Sequence, residues 1–238
     1  MIKRLRLRGK FKGYFFILSL HHIFSAKIFS FLGHLSGLSK WISKHKDIPY
    51  SDFYSHKFDY HKRLGMFNYL IEHEKLGEAI DYLEFGVSTG NSFRWWIENN
   101  KDNNSRFFGF DTFTGLPEAW GPFAQGSMGN NNEAPQIEDN RHQFFQGLFQ
   151  QTLIPFLKNY EPKNPRVIHM DADLYTATLY VLTTIAPYLQ KGDIILFDEF
   201  NVPCHEYKAF TEWTESFYID YEVLGAVNNY YQVAVRIL

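Results

Sequence analysis

Four short apolar runs in this chain each end on residues able to do chemistry. Tyr82-Leu-Glu-Phe85 runs into Gly86-Val-Ser-Thr-Gly90, and Phe107-Phe-Gly-Phe110 is ended by Asp111. Arg166-Val-Ile-His-Met170 is ended by Asp171, with Asp173 two residues on, and Ile194-Ile-Leu-Phe197 by the pair Asp198-Glu199. One acidic residue after a strand is commonplace. Four strands that deliver a glycine turn and several carboxylates to one edge are much less so. In open α/β sheets that edge, beyond the carboxyl ends of the strands, is where ligands bind.

The first loop reads E-x-G-x-x-x-G and not G-x-G-x-x-G, which disfavours a dinucleotide pyrophosphate. Glu84 would repel phosphate but could receive a cationic or amine-bearing ligand, and a helix opening after Gly90 could hold a carboxylate through its free N–H groups. S-adenosylmethionine carries both an ammonium and a carboxylate. Asp111 falls 21 residues after Gly90, where a carboxylate can accept hydrogen bonds from both ribose hydroxyls. Asp171, Asp198 and Glu199 converge without an evident counter-charge. Unpaired, their ionised forms would be costly. A divalent cation resolves that, and an all-oxygen donor set points to Mg²⁺ or a similar hard ion. The alternative is that one of them caps a helix and another pairs with Lys or Arg.

Strands alternating with helical stretches predict a mostly parallel α/β sheet. Helices are expected over Phe58 to Lys75, Ser92 to Asn99 and Leu174 to Leu189. Tyr221-Glu-Val-Leu224 and Tyr231 to Ile237, joined through Asn228-Asn229, predict a closing antiparallel pair. Gly/Asn/Pro-rich sequence from Ala119 to Asn140 is read as a lid over the site, or else as a solvated insertion.

At these residues the chain resembles the macrocin O-methyltransferase family of class I S-adenosylmethionine-dependent methyltransferases. The matching stretches are YLEFGVSTGNSFRWW (82–96), FGFDTFTGLPEAW (108–120), FQGLFQQTL (145–153), HMDADLYTATLYVL (169–182) and GDIILFDEF (192–200). D-x-D-L-Y and F-D-E-F are the specific part. The resemblance implies a Rossmann-like class I fold with a mostly parallel seven-stranded sheet and a C-terminal antiparallel pair. It does not cover the first 50 residues, which are read from their own pattern as an N-terminal helical extension. The resemblance also implies Mg²⁺-dependent methylation of a hydroxyl, typically on a sugar of a natural product or glycan. By position, Asp171, Asp198 and Glu199 match the family's metal ligands, Asp173 a general base proposed in some members, and Glu84, Gly86 and Asp111 cofactor positions. The metal pair is Asp-Glu here, where some relatives have Asp-Asp.

A sugar hydroxyl is almost fully protonated at neutral pH, so coordination would lower its pKa and Asp173 could take the proton. His169 and His142 are weaker candidates for base. Tyr175 and Trp120 could line an acceptor site or simply pack, and Cys204 and His205 lack evident partners. Rival readings are a metal-independent enzyme whose acidic cluster binds an amine, and a non-catalytic, membrane-associated module of the same fold.

Composition bounds these readings. The chain has 238 residues, 45% hydrophobic and 21% charged, an ordinary globular balance. Its single cysteine excludes an internal disulfide framework and fits a reduced, cytoplasmic compartment. Residues 1–46 hold ten Lys/Arg and no Asp or Glu, leaving 14 basic against 26 acidic residues elsewhere. So acidic a body argues against nucleic acid as partner. The basic arm begins like a signal peptide, but its apolar run is short, broken by His21-His22 and Lys27, and lacks an A-x-A site. Read as a basic, aromatic-rich amphipathic helix, it either lies on an anionic membrane as a peripheral contact or packs on the fold or on a second subunit of a homo-oligomer. The expected organisation is an arm over 1–50, a helical cap over 51–78 and a methyltransferase domain over 79–238.

Overall fold

The computed structural model describes residues 2–238, and side chains from residue 7 onward. In chain order its elements are α1 (Ile2–Ile17), α2 (Ala26–Lys44), β1 (Tyr50–Ser51), α3 (Lys62–His73), β2 (Asp81–Phe85), α4 (Asn91–Asn99) and β3 (Arg106–Asp111). Then come β4 (His142–Gln146), α5 (Phe149–Leu157), β5 (Arg166–Met170), α6 (Tyr175–Ile185), β6 (Ile194–Phe197), α7 (Glu206–Phe217), β7 (Tyr221–Val227) and β8 (Gln232–Ile237).

The strands form one sheet in the order β1-β7-β8-β6-β5-β2-β3-β4. Only β8 runs against its neighbours, pairing antiparallel with β6 and β7. The family resemblance leads to seven strands. The eighth, β1, is two residues long, too short for any periodicity to reveal, and extends the sheet beyond β7. It also brings residues 50–51 into the sheet, across the boundary expected between arm and cap.

Every residue of β2, β5 and β6 is buried, because helices cover both faces. Met66, Phe67 and Leu70 of α3 pack on one face with Phe93, Trp96 and Ile97 of α4. On the other face lie Leu153 and Phe156 of α5, Val181, Leu182 and Ile185 of α6, and Phe210 and Trp213 of α7. Helix α6 stops at Ile185, short of the expected Leu189, because Pro187 confines the continuation to a 3-10 turn. Asn228 and Asn229 make the expected β7–β8 turn, with φ of 55° and 57° in the left-handed region that Asn tolerates. Strand β4 and helices α5 and α7 were not legible as separate elements: β4 is a half-exposed edge strand, and α5 carries Pro155.

The chain order reverses at β2, which has β3 on one side and β5 on the other. The carboxyl ends of β2, β3, β5 and β6 therefore open onto one crevice.

Candidate active site

The sheet's two ends treat charge differently. At the amino ends, Asp81 of β2 accepts hydrogen bonds from Arg106, Tyr160 and Asn164, and Asp193 pairs with Arg166. Those carboxylates are structural and satisfied. At the carboxyl ends lies a cavity of about 710 Å³ lined by Gly86, Ser88, Asp111, Asp171, Asp173 and Glu199, among others. That is room for a nucleoside-sized cofactor together with an acceptor.

The glycine loop is locked into its course. Gly86 has φ +100°, and a β-carbon there would collide with the backbone carbonyl of Asp171. Gly90 has φ +78° at the N-cap of α4, where a β-carbon would stand 2.8 Å from Pro135. Neither position tolerates a side chain. Gly90 itself lies outside the cavity wall, but it sets the turn that brings Asn91 and Ser92, at the start of α4, into it. Asp111 ends β3 and accepts hydrogen bonds from the Ser88 N–H at 2.7 Å and the Phe113 N–H at 2.6 Å. Burial raises its pKa, against the pull of those amides. The carboxylate is thereby fixed against the glycine loop with lone pairs to spare.

Glu84 is not brought into the cavity. It is fully buried beneath the loop, accepting hydrogen bonds from the Ser92 hydroxyl at 2.8 Å and from Tyr82. Its place on β2, one pleat back from the strand end, makes it a support for α4 and not a wall of the site.

The carboxylates divide as well. Ligand atoms of Asp171, Asp173 and Glu199 lie within 4.8 Å of one another. A second such group joins His169, Asp171 and Asp198. Asp198, however, is committed: it pairs with Arg63 at 3.0 Å and accepts a hydrogen bond from Tyr60. Arg63 also lies 3.7 Å from Asp171, so one carboxylate does pair with a cation. Arg63 comes from α3 and is buried. An arginine on a predicted helix carries no signal in sequence of what it faces.

Arg63 does not neutralise the group. Burial, then Asp198, raises the pKa of Asp171 well above the carboxylate range, and the same two causes raise Glu199. Asp173 is pushed up to about 7 by burial and then by Asp198 and Asp111. Glu199 Oε2 is buried and has no hydrogen-bond partner among the described residues. Its neighbour Glu206, at the start of α7, accepts the Glu199 N–H at 2.9 Å and is another buried carboxylate that sequence reading passed over. Asp171, Asp173 and Glu199 therefore fit a hard cation by donor chemistry and by the orphaned oxygen. Asp173 holds φ +57°, an uncommon conformation for a residue with a side chain, of the kind that clusters at functional sites.

The remaining candidates are sorted by position. His142 begins β4, at the end of the strand away from the cavity. His169 is buried, with Nδ1 2.8 Å from the Tyr82 hydroxyl. Tyr175 donates to Glu212 at 2.6 Å. Trp120 lines the cavity and stacks on Phe123 at 5.4 Å, both within the loop expected to cover the site. Cys204 is a half-buried free thiol, and neither it nor His205 is among the cavity-lining residues.

Residues 83–200 match a family model described as a methyltransferase domain. No curated protein matches the sequence. Among solved structures, the O-methyltransferase NovP aligns with a TM-score of 0.58 at 20% identity, covering 74% of this chain and 79% of that one. CalS11, described as a TDP-rhamnose 3'-O-methyltransferase of calicheamicin biosynthesis, aligns at 0.50 and 20% identity over 86% and 93%. An O-methyltransferase from Bacillus cereus, solved with S-adenosylhomocysteine, aligns at 0.51 and 15% identity over 93% and 96%. At these identities the likeness is one of fold. With residues 83–200 matching a methyltransferase domain and the sheet shared with these neighbours, the chain is a methyltransferase-class enzyme on a Rossmann-like fold.

Proposed function

We propose that the chain transfers a methyl group from S-adenosylmethionine to a hydroxyl of a sugar or sugar-bearing small molecule, with a divalent cation such as Mg²⁺ in the acidic cluster. The observation that carries this reading is the juxtaposition, across one crevice, of the Asp111-braced glycine loop and the carboxylates of Asp171, Asp173 and Glu199.

In this reading Asp111 receives the ribose hydroxyls, and the opening turn of α4 receives the cofactor's carboxylate. Asp171 and Glu199 hold the cation, with Asp173 beside them and Asp198 anchoring Arg63. When bound, such a cation lowers the pKa of an acceptor hydroxyl. Asp173 is the group placed to take the proton as the hydroxyl oxygen bonds to the methyl carbon and the carbon–sulfur bond breaks. Trp120, Phe123, Phe58 and Tyr231 supply an aromatic wall suited to the C–H face of a sugar ring. The fold likeness to a TDP-rhamnose O-methyltransferase agrees with that acceptor class.

One observation favours a second reading. Arg63 already sits between Asp198 and Asp171, as it would in a metal-independent enzyme. Calorimetric titration of S-adenosylhomocysteine tests the cofactor, and chelator treatment of a methyl-transfer assay on a panel of glycosylated acceptors separates the two readings. Saturable one-to-one binding and chelator-sensitive turnover are expected. Absence of binding by a folded sample refutes the cofactor assignment.

A further inference from the structure

We propose that the basic arm is a peripheral anchor that seats the enzyme on an anionic lipid surface. The carrying observation is an apolar elbow between two basic flanks. Helix α1 ends, a 3-10 turn follows at Leu20–His22, and α2 begins at Ala26. Around this bend Phe16, Ile17, Leu18, Ile23, Phe24, Ile28 and Phe29 are all exposed, by 45% to 80%. Outside the bend stand Lys3, Arg4, Arg6, Arg8, Lys10 and Lys12 before it and Lys40, Lys44 and Lys46 after it, with Lys27 in its midst.

The arrangement differs from the amphipathic helix that the sequence suggests. In α1 the basic residues fall in the first three turns, interleaved with Leu5, Leu7 and Phe11, while Tyr14, Phe15 and Phe16 follow in the last, so the helix has a basic end and an aromatic end. No described helix is long and apolar enough to cross a membrane. An apolar tip with basic shoulders instead dips into the headgroup layer while its cations meet anionic lipids.

Charge decides among occupants. A second copy meeting this arm face to face would oppose ten cations with ten, with no acidic residue in either arm to relieve them. The acidic body of a second copy would suit the cations, but the exposed apolar residues that cluster on it, Phe58, Tyr60, Phe123, Met128 and Leu148, line the cavity assigned to the acceptor. An anionic bilayer satisfies both parts at once.

The far end of α2 is fixed to the enzyme. Trp41 donates to the Tyr221 hydroxyl at 2.8 Å and packs on Phe200 at 4.7 Å, while Tyr230 donates to the His45 carbonyl. Phe200 and Tyr230 are the chain neighbours of Glu199 and Tyr231, which line the cavity. The anchor thus joins the body one residue from the site, an arrangement that would suit a lipid-linked or surface-bound acceptor in the proposed reaction.

Co-sedimentation of the full chain with vesicles tests this without any assay of methyl transfer. With about a third phosphatidylserine in phosphatidylcholine, binding should exceed that to phosphatidylcholine alone by about ten-fold or more, and collapse between about 0.1 M and about 0.5 M salt. The variants Phe24→Glu/Ile28→Glu and Lys10→Glu/Lys12→Glu should each lose about ten-fold in binding with an unchanged thermal melt. Equal binding to neutral vesicles, or none to anionic ones, overturns the proposal. So does a dimer that dissociates on Phe24→Glu/Ile28→Glu while vesicles fail to retain the chain, which would assign the elbow to a second copy.

Discussion

The backbone carbonyl of Asp171 occupies the space into which a side chain at Gly86 would project. The glycine loop after β2 is therefore packed directly against the acidic strand end of β5. Gly86→Ala forces them apart and also strains a left-handed backbone. Its affinity for S-adenosylhomocysteine should fall by about a hundred-fold, the equivalent of two or three lost polar contacts. Calorimetry measures this, with circular dichroism confirming that the sheet has formed.

Asp111→Asn retains size but removes the charge proposed to receive the ribose. Binding of S-adenosylhomocysteine should weaken by about ten- to a hundred-fold, as for loss of a charged hydrogen bond. Cation binding should change less, because Asp111 acts on the acidic cluster only through the rise it gives Asp173.

Removing Glu199 tests the cation. Glu199→Gln should abolish chelator-sensitive turnover and leave S-adenosylhomocysteine affinity within about three-fold, since neutral amide oxygens are poor substitutes for a ligating carboxylate. Full activity of this variant in chelator would leave the metal-independent reading.

Arg63→Met leaves Asp198 buried without its cation. Truncating one partner of a buried pair costs about 3–5 kcal/mol, and replacing both by apolar groups costs far less. The double variant Arg63→Met/Asp198→Leu should therefore recover most of the stability that the single variant loses in denaturant titration.

The clustered carboxylates also set how stability responds to pH. Asp171, Asp173, Glu199 and Glu206 all have folded pKa values raised by burial, Asp173 to about 7. Between the ordinary carboxylate range and neutrality the folded state thus binds more protons than the unfolded chain. Stability must fall as pH rises through that window. The thermal midpoint of the cation-free protein should drop from pH 5 to about pH 7.5, and Mg²⁺ should restore it most at the upper end, where the bound protons no longer compete. A cation effect independent of pH would contradict this.

Much of this protein is written locally. Strands β2, β3, β5 and β6 announce themselves because a strand buried on both faces must be apolar throughout, and the residue that ends it is the first free to be polar. That is why Asp111, Asp171, Asp198 and Glu199 could be singled out in sequence, together with the glycine loop whose turns admit no side chain. Long-range placement decided the rest. Asp198 points to Arg63 on α3, 135 residues away in sequence, so a chain-local pattern could not separate it from Glu199. Glu84 lies one residue from the loop, yet the alternation of a strand turns it under α4. The arm's composition was plain from the start, but only the bend between α1 and α2 gathers its apolar residues into one tip. Sequence specifies which chemistry reaches the sheet edge, because burial dictates residue type. Which carboxylates face the cavity and which are tied to a distant cation depends on packing between elements, which no single segment encodes.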